Sequence, residues 1–417
     1  MTKSTKFDVI IIGAGPAGII SALQLAKKDY NIALIERKSF TKDKICGDAL
    51  SLDVVNQLNL IDENLAFRFK NFANKIETKG VKIIAPSYES FDIPFSYKGK
   101  QKDAYVAKRI DFDNFLFSEL KQFINITILE NTKVFDLNID DDRVEISYIN
   151  SDKETIILSS DILVGADGAQ SFVSKKLLKT KQDKNHYSYG VRNYYENVTG
   201  FNDDNYIELH FLKEILPGYL WIFPLPNNQV NVGIGMLSKY VSKKNINLRK
   251  TLKEVIKNHP EFKDRFKNAT ALETQKAYGL PLGNPKRKIS GNRFVLLGDA
   301  AGLIDPFSGE GVGNAIRSGR VSAKHINECF KINNFSNQQN KKYDKEIYRL
   351  MGKEFTVSKS LQNLCRYPKL FNFIVKKANN NQELKSFLIG TMEDVEKKKL
   401  LIKPSFYYRL FFKNLFF

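Results

Sequence analysis

The chain has 417 residues, 42% of them hydrophobic, and a formal net charge of +19. Such a composition excludes a disordered chain and leaves room for two joined domains. Three cysteines, Cys46, Cys329 and Cys365, are too few and odd in number for a disulfide framework, so a reducing compartment is expected. The basic residues are spread along the chain, without zinc spacing or an RNA-recognition signature, so neither a metal nor nucleic acid is expected. The charge fits an anionic membrane surface, anionic substrates, or lysines on solvated faces. No secretory leader is evident, and no stretch reaches the roughly 18 apolar residues of a spanning helix. A cytoplasmic protein, peripheral at the inner face of the membrane, is expected; the sequence is silent on oligomeric state.

Val9 to Ile12 is a short β-branched run, as in a strand buried on both faces. Gly13, Gly15 and Gly18 follow in G-x-G-x-x-G spacing, and Ile19 to Lys28 has helical composition. The glycines suit a tight turn, close approach of a pyrophosphate, and close helix–strand packing. A second strand, Asn31 to Ile35, ends in Glu36, an acid placed to accept hydrogen bonds from a ribose. Lys38 to Asp48 is a polar loop that can fold over a nucleotide. Its Cys46 reads equally as an apolar filler or as a neighbour of a cofactor ring.

Residues 49–100 mix a helix with strand-like stretches, including Gly80 to Ala85. Arg109 is read as the end of a strand, and Asp111 as a cap for a helix from Phe112. Arg109 suits a phosphate partner or a place on the surface. Ile126 to Leu129, Val134 to Ile139, Arg143 to Ile149 and Glu154 to Ser159 read as strands, with a hairpin turn at Asp140 to Asp142. The buried run from Asp161 ends in Gly165, Asp167 and Gly168, and open α/β sheets bind ligands at such strand ends.

Ser188 to Tyr194, Tyr206 to Phe211, Tyr219 to Pro224 and Val230 to Met236 alternate with turns as a second, antiparallel sheet. Tyr219, Trp221 and Phe223 share one strand face and read as core or as the wall of an apolar pocket, with core favoured on spacing alone. Another buried strand ends in Gly298-Asp299. A glycine-rich loop through Pro306, Gly309, Gly311 and Gly313 then opens a helix from Val312 to about Phe330, whose amino end can hold negative charge. Gln338 to Lys353 and Glu383 to Leu401 read as helices. The last stretch, Ile402 to Phe417, mixes aromatic residues with Lys403, Arg409 and Lys413 and fits an interfacial anchor, a helix docked on the body, or a dimer contact.

These three glycine pieces together resemble the flavoprotein hydroxylase superfamily with the para-hydroxybenzoate hydroxylase fold. Within it the chain is most similar to the geranylgeranyl reductase family, through Lys44-x-Cys46-Gly47, Arg109-x-x-Phe112-Asp113, Tyr219-x-Trp221-x-Phe223-Pro224, and Gly298 to Gly302 with Asp305-Pro306 and Gly309 to Gly311. The motif's usual lysine after the proline is Leu225 here, and Ser174 stands where many superfamily members have arginine, beside Lys175.

The resemblance implies an α/β fold with α+β elements. Residues 1–75, 101–185 and 285–330 would bind FAD in a Rossmann-like domain. Residues 76–100 and 186–284 would form the substrate sheet, and 331–417 a helical C-terminal region. It implies FAD contacts at Gly13, Ala14, Gly15, Pro16, Ala17 and Gly18, and at Glu36 and Arg37. Further contacts are implied at Cys46, Gly47, Arg109, Val134, Asp167 and Gly168, then at Gly298, Asp299, Pro306, Gly309, Gly311, Val312 and Gly313. Tyr219, Trp221, Phe223 and Pro224 become the substrate wall, and Cys46 the candidate catalytic residue. The implied activity is reduction of double bonds in a prenyl lipid, with NAD(P)H as reductant. The rivals are an aromatic or lipid monooxygenase of the same fold and a non-catalytic prenyl-lipid binder.

Overall fold

The computed structural model describes residues 4–40, 43–97, 100–102, 104–391 and 394–412. Strand β1 (Ser4–Ile12) passes through the glycine turn into α1 (Pro16–Ala26) and β2 (Ile32–Ile35). After β3 (Ala49–Leu50), α2 (Leu52–Ile61) and α3 (Glu63–Lys70), six short strands follow: β4 (Ile76–Thr78), β5 (Gly80–Ile84), β6 (Ser90–Pro94), β7 (Ser96–Tyr97), β8 (Lys100–Gln101) and β9 (Ala104–Val106). Helix α4 (Arg109–Ser118) leads to β10 (Ile126–Leu129), β11 (Val134–Ile139), β12 (Val144–Ile149), β13 (Thr155–Gly165) and α5 (Phe172–Leu178).

The second sheet brings β14 (Tyr187–Glu196), β15 (Ile207–His210), β16 (Tyr219–Leu225), β17 (Gln229–Leu237), α6 (Ser238–Lys243), α7 (Leu248–Asn258), β18 (Thr270–Ala271) and β19 (Lys276–Pro281). The chain then returns through β20 (Ser290–Gly291), β21 (Phe294–Leu296), α8 (Gly298–Ala301) and α9 (Val312–Lys331). It ends in α10 (Asn337–Leu364), α11 (Pro368–Asn379), α12 (Gln382–Gly390), α13 (Val395–Leu400) and α14 (Pro404–Phe412).

The nucleotide sheet runs β10-β2-β1-β13-β12-β11, with β21 added parallel to β13. Its centre is parallel and buried on both faces, which explains the unbroken apolar runs of β1 and β2. Glu154 to Ser159 and the run from Asp161 are one continuous strand, β13: its first half pairs with β12 and its second with β21. The second sheet runs β18-β14-β17-β16-β15-β5-β6, with β19 on β14. Leu220, Ile222, Val232 and Ile234 pack towards α7, and Tyr219, Trp221 and Phe223 face the other way.

Three expectations change, at Arg109, at Asp111 and over Glu383 to Leu401. Arg109 begins a helix rather than ending a strand, and the helix cap is Lys108, with Asp111 already inside the first turn. The helical C-terminal region divides between two cores. Tyr343, Ile347, Met351 and Phe355 of α10 lie in the core shared with β1 and β13. Helices α11 to α14 instead pack near β5 and β6, around Phe91, Ile93, Val375 and Phe387. The helix expected over Glu383 to Leu401 is two, α12 and α13, the second capped by the Asp394 carboxylate.

In the tail, Phe406 and Leu410 are buried and the Tyr407 hydroxyl donates to Leu401 O, so α14 is docked on the body. Tyr408 is exposed. Residues 413–417, including Lys413, Leu415, Phe416 and Phe417, lie outside the described residues, as do the side chains of Phe411 and Phe412. Among the described residues, no helix is long and apolar enough to cross a membrane.

Candidate active site

Three neighbouring strands of the nucleotide sheet, β1, β13 and β21, end in turns that pack against one another. A Cβ on Gly13 would lie 2.3 Å from Ala166 O, and one on Gly18 would lie 2.0 Å from Gly13 O. These two glycines are therefore dictated by backbone contact. Gly15 is different, because a Cβ there meets nothing within 4 Å among the described residues. It caps α1, no side chain closes that helix end, and the first turn holds no acid. Open space in front of uncapped helical N–H groups is a cradle for an anion. Ala17 and Gly298 bring the third turn alongside, with 3.3 Å between Ala17 Cβ and a Cβ built on Gly298.

Glu36 stands at the end of β2, where Oε2 accepts the Ala14 N–H at 3.0 Å and Oε1 accepts the Lys38 N–H at 3.1 Å. A groove of about 550 Å³ opens beyond it, lined by Arg37, Lys38, Asn131 and Lys276. Val134 is buried in the nucleotide-domain core. Asp167 Oδ2 accepts the N–H groups of Phe172 and Val173 at the start of α5. Its Oδ1 is buried without a partner among the described residues, and burial raises the carboxyl's pKa. Asp305 likewise accepts with Oδ1 from the Phe307 and Ser308 N–H groups and the Ser308 hydroxyl, leaving Oδ2 buried and without a partner among the described residues. Pro306 O accepts from Gln362 at 2.6 Å, tying this loop to α10.

Asp299 is buried and pairs with Lys44 at 2.9 Å. Burial lowers the ammonium's pKa, Asp299 more than offsets it, and the lysine ends above its ordinary value. Tyr187 and Tyr278 stand close to this pair, and a Cβ on Gly168 would lie 3.3 Å from the Tyr278 hydroxyl. The amino end of α9 was expected to hold negative charge. In the structure the chain's own Glu310 takes the Gly313 N–H at 2.7 Å, with Val312 and Gly311 beside it. Burial raises the Glu310 pKa.

The opposite side is the β14-β17-β16 face. Strand register sets three rows across it: Gly190, Gly235 and Tyr219; Arg192, Gly233 and Trp221; Tyr194, Asn231 and Phe223. A Cβ on Gly233 would lie 2.1 Å from the Trp221 indole, and Gly235 and Gly190 are within 3.7 Å of it by the same measure. The indole thus lies over a floor of three glycines. Tyr219 donates to Ser308 O at 2.6 Å, and a Cβ on Gly309 would lie 2.9 Å from its hydroxyl. Burial pushes that phenol well above its ordinary value. Gly47 packs against the same wall, with a Cβ there 2.8 Å from the Phe223 ring. Pro224 follows at the strand's end and lines a separate cleft with Leu225 and Asn228.

Cys46 is half-buried and lies beside both the Arg109 guanidinium and Tyr219. Arg109 is not a surface arginine. It is buried, and its Nε and Nη2 donate to Asp113 Oδ1 and Oδ2 at 2.9 and 2.8 Å, so a carboxylate of its own helix engages the group read as a phosphate partner.

Sequence reasoning passed over Asp48, Arg192, Asn231, Tyr187 and Tyr278. Arg192 is fully buried and pairs with Asp43 and Glu273. Asp48 is buried with its backbone in the left-handed region at φ +73°, and desolvation pushes its carboxyl up to about 6 despite the Asn231 hydrogen bond. An amide inside the apolar run Val230-Asn231-Val232 was the one legible signal, because a buried amide must find partners.

The residues present fit FAD. The amino end of α1 is open at Gly15, Glu36 stands at the end of the neighbouring strand, and Asp167 and Asp305 each keep a buried oxygen with no partner among the described residues. A family model described as FAD binding domain matches residues 6–330. The chain is 28% identical to digeranylgeranylglycerophospholipid reductase of Methanococcus vannielii over 404 residues, covering 95% of this chain and 94% of that one. It is 26% identical to menaquinone reductase of Mycobacterium tuberculosis, covering 88% and 86%. A geranylgeranyl bacteriochlorophyll reductase-like protein from Thermoplasma acidophilum superposes with a TM-score of 0.78 at 24% identity, covering 90% of this chain and 91% of that one. With the family model's match spanning well over half of its length, the chain belongs to the FAD-binding domain family of flavoproteins.

Proposed function

We propose that this flavoprotein saturates double bonds of a geranylgeranyl or other polyprenyl chain. The observation that carries the reading is the glycine-floored aromatic face, which stands against Cys46, Gly47 and Gly309 at the edge of the nucleotide track. Such a face offers a flat, dry surface to a methyl-branched apolar chain. Relatives named for reduction of prenyl-lipid and quinone substrates support the same class. FAD held between Gly13–Gly18, Glu36 and Asp299 would supply, once reduced, a hydride for one carbon of the double bond.

The chain's own residues supply orientation. Tyr219, Trp221 and Phe223 hold the apolar chain, and the floor excludes water. The second carbon needs a proton, and Cys46, beside the Arg109 guanidinium, is the group we assign to deliver it. NAD(P)H is the proposed reductant. The positive charge and the exposed Tyr408 beside Arg409 support peripheral contact with the inner face of a membrane.

The test is anaerobic incubation of chemically reduced, flavin-loaded protein with geranylgeranyl lipids, followed by mass spectrometry. Gain of two mass units per saturated bond is expected. In a parallel aerobic incubation, substrate-dependent oxygen uptake with gain of an oxygen atom, together with no anaerobic saturation of any prenyl lipid, would instead establish the monooxygenase.

A further inference from the structure

One amide joins two parts of the site that lie far apart in the sequence. Asn231 is fully buried on β17, in the row with Phe223 and Tyr194. Its Oδ1 accepts the Trp221 indole N–H at 2.9 Å. Its Nδ2 donates to Cys46 O and to Asp48 Oδ2, each at 2.7 Å. Asp48 is pinned in turn: Oδ1 accepts the Arg109 N–H and its carbonyl accepts the Ala107 N–H, both at 3.1 Å.

The partners fix the orientation of the amide, because an indole N–H only donates and a peptide carbonyl only accepts. Both donor hydrogens and the acceptor are therefore engaged, one side with the aromatic wall and the other with the Cys46–Asp48 turn. An amide in this position costs free energy unless all its groups are paired, and an apolar residue of similar size would fill the same space without that requirement. Its pairing is what distinguishes it from filler. The turn is close enough to the wall that a Cβ on Gly47 would lie 3.5 Å from Trp221 Nε1.

We propose that Asn231 is a positioning residue. It holds the plane of the Trp221 indole and the height of the Cys46–Gly47 turn above the Gly190–Gly235 floor in one fixed relation. That relation sets which double bond of a prenyl chain is presented, a role that rests on the reductase reading above.

Trp221 is the chain's only tryptophan, so its emission reports on this one indole. The experiment compares wild type with Asn231→Leu, both flavin-loaded, by time-resolved tryptophan anisotropy and by the distribution of saturated products from a geranylgeranyl lipid. A fast anisotropy component absent from wild type is expected in the variant. So are a kcat at least about tenfold lower, a smaller change in KM, and a shifted pattern of saturated positions. Should the leucine variant not fold, Asn231→Ser, too short to reach these partners, takes the same measurements.

Unchanged anisotropy, or an unchanged kcat and product pattern, overturns the proposal. If wild type saturates no prenyl lipid, the reductase reading falls by itself, and the anisotropy alone decides whether Asn231 holds the indole.

Discussion

Lys44 Nζ lies 2.9 Å from Asp299 Oδ2, an ion pair that closes the loop after β2 onto the turn after β21. The carboxylate is almost fully enclosed and the lysine about one-third exposed. Lys44→Met leaves that carboxylate without its cation and frees the loop. A loss of about 1–3 kcal/mol is expected, less than for a fully buried pair. Thermal melts followed by flavin fluorescence would show earlier unfolding and earlier release of FAD. Equal melting of variant and wild type would mean that the pair contributes nothing to holding the loop.

Gly15 and Gly18 separate binding from folding. Gly15→Val places its side chain in open space in the apoprotein, so the variant is expected to fold but purify colourless, with FAD affinity at least about a hundredfold lower, near 3 kcal/mol. Gly18→Val drives its side chain into Gly13 O and is expected to give little folded protein. Absorbance at flavin and protein wavelengths, with circular dichroism, reads both. A yellow Gly15→Val variant would remove the pyrophosphate from this turn.

Trp221→Ala empties the space over the glycine floor without touching the nucleotide track. Flavin content is expected to stay near wild type. The specificity constant for prenyl lipid should fall at least about tenfold, or 1.4 kcal/mol. Parallel loss of flavin and activity would make Trp221 a packing residue.

Asp48 gives a pH signature. Its folded carboxyl, at about 6, lies above the unfolded value, so the folded protein binds more protons between pH 4 and 6. Its stabilising contribution is full below pH 4 and is lost as the pH rises to 6, about 3 kcal/mol in all. Asp48→Asn lacks this dependence. In urea unfolding at a series of pH values, wild type is expected to gain on the variant as the pH falls from 6 to 4. A constant difference would mean that Asp48 is ionised alike in both states.

The tail calls for a surface test, because deleting it would strip Phe406 and Leu410 from the core. Tyr408→Ser with Arg409→Gln is expected to keep the fold and lower sedimentation with anionic liposomes, most clearly at low salt. Unchanged sedimentation would exclude this face of α14 from the membrane contact.

The nucleotide half was legible because its signals are local: a strand, three glycines and an acid lie within 29 residues from Asp8 to Glu36. The strand that carries Tyr219, Trp221 and Phe223 on one face was legible through period-two alternation, and the structure packs Trp221 and Phe223 in an apolar cluster with Val81 and Val106. The Asp48–Asn231 pair was not legible, since its partners stand 183 residues apart and meet only when the loop before β3 packs against β17. Arg109 misled because one residue can end a strand or start a helix, and Asp113 one turn on decides for the helix.

The matched FAD-binding segment stops at residue 330, but the cooperative unit does not. Tyr343 of α10 donates to Leu296 O, Asn340 donates to Gly291 O, and three further side chains of that helix fill the same core. A chain cut at 330 would keep every glycine of the nucleotide track and still leave β20 and β21 with an open apolar seam. The smallest autonomous folding unit is thus longer than the segment that recognises the cofactor, and homology boundaries would be poor guides to where this protein can be divided.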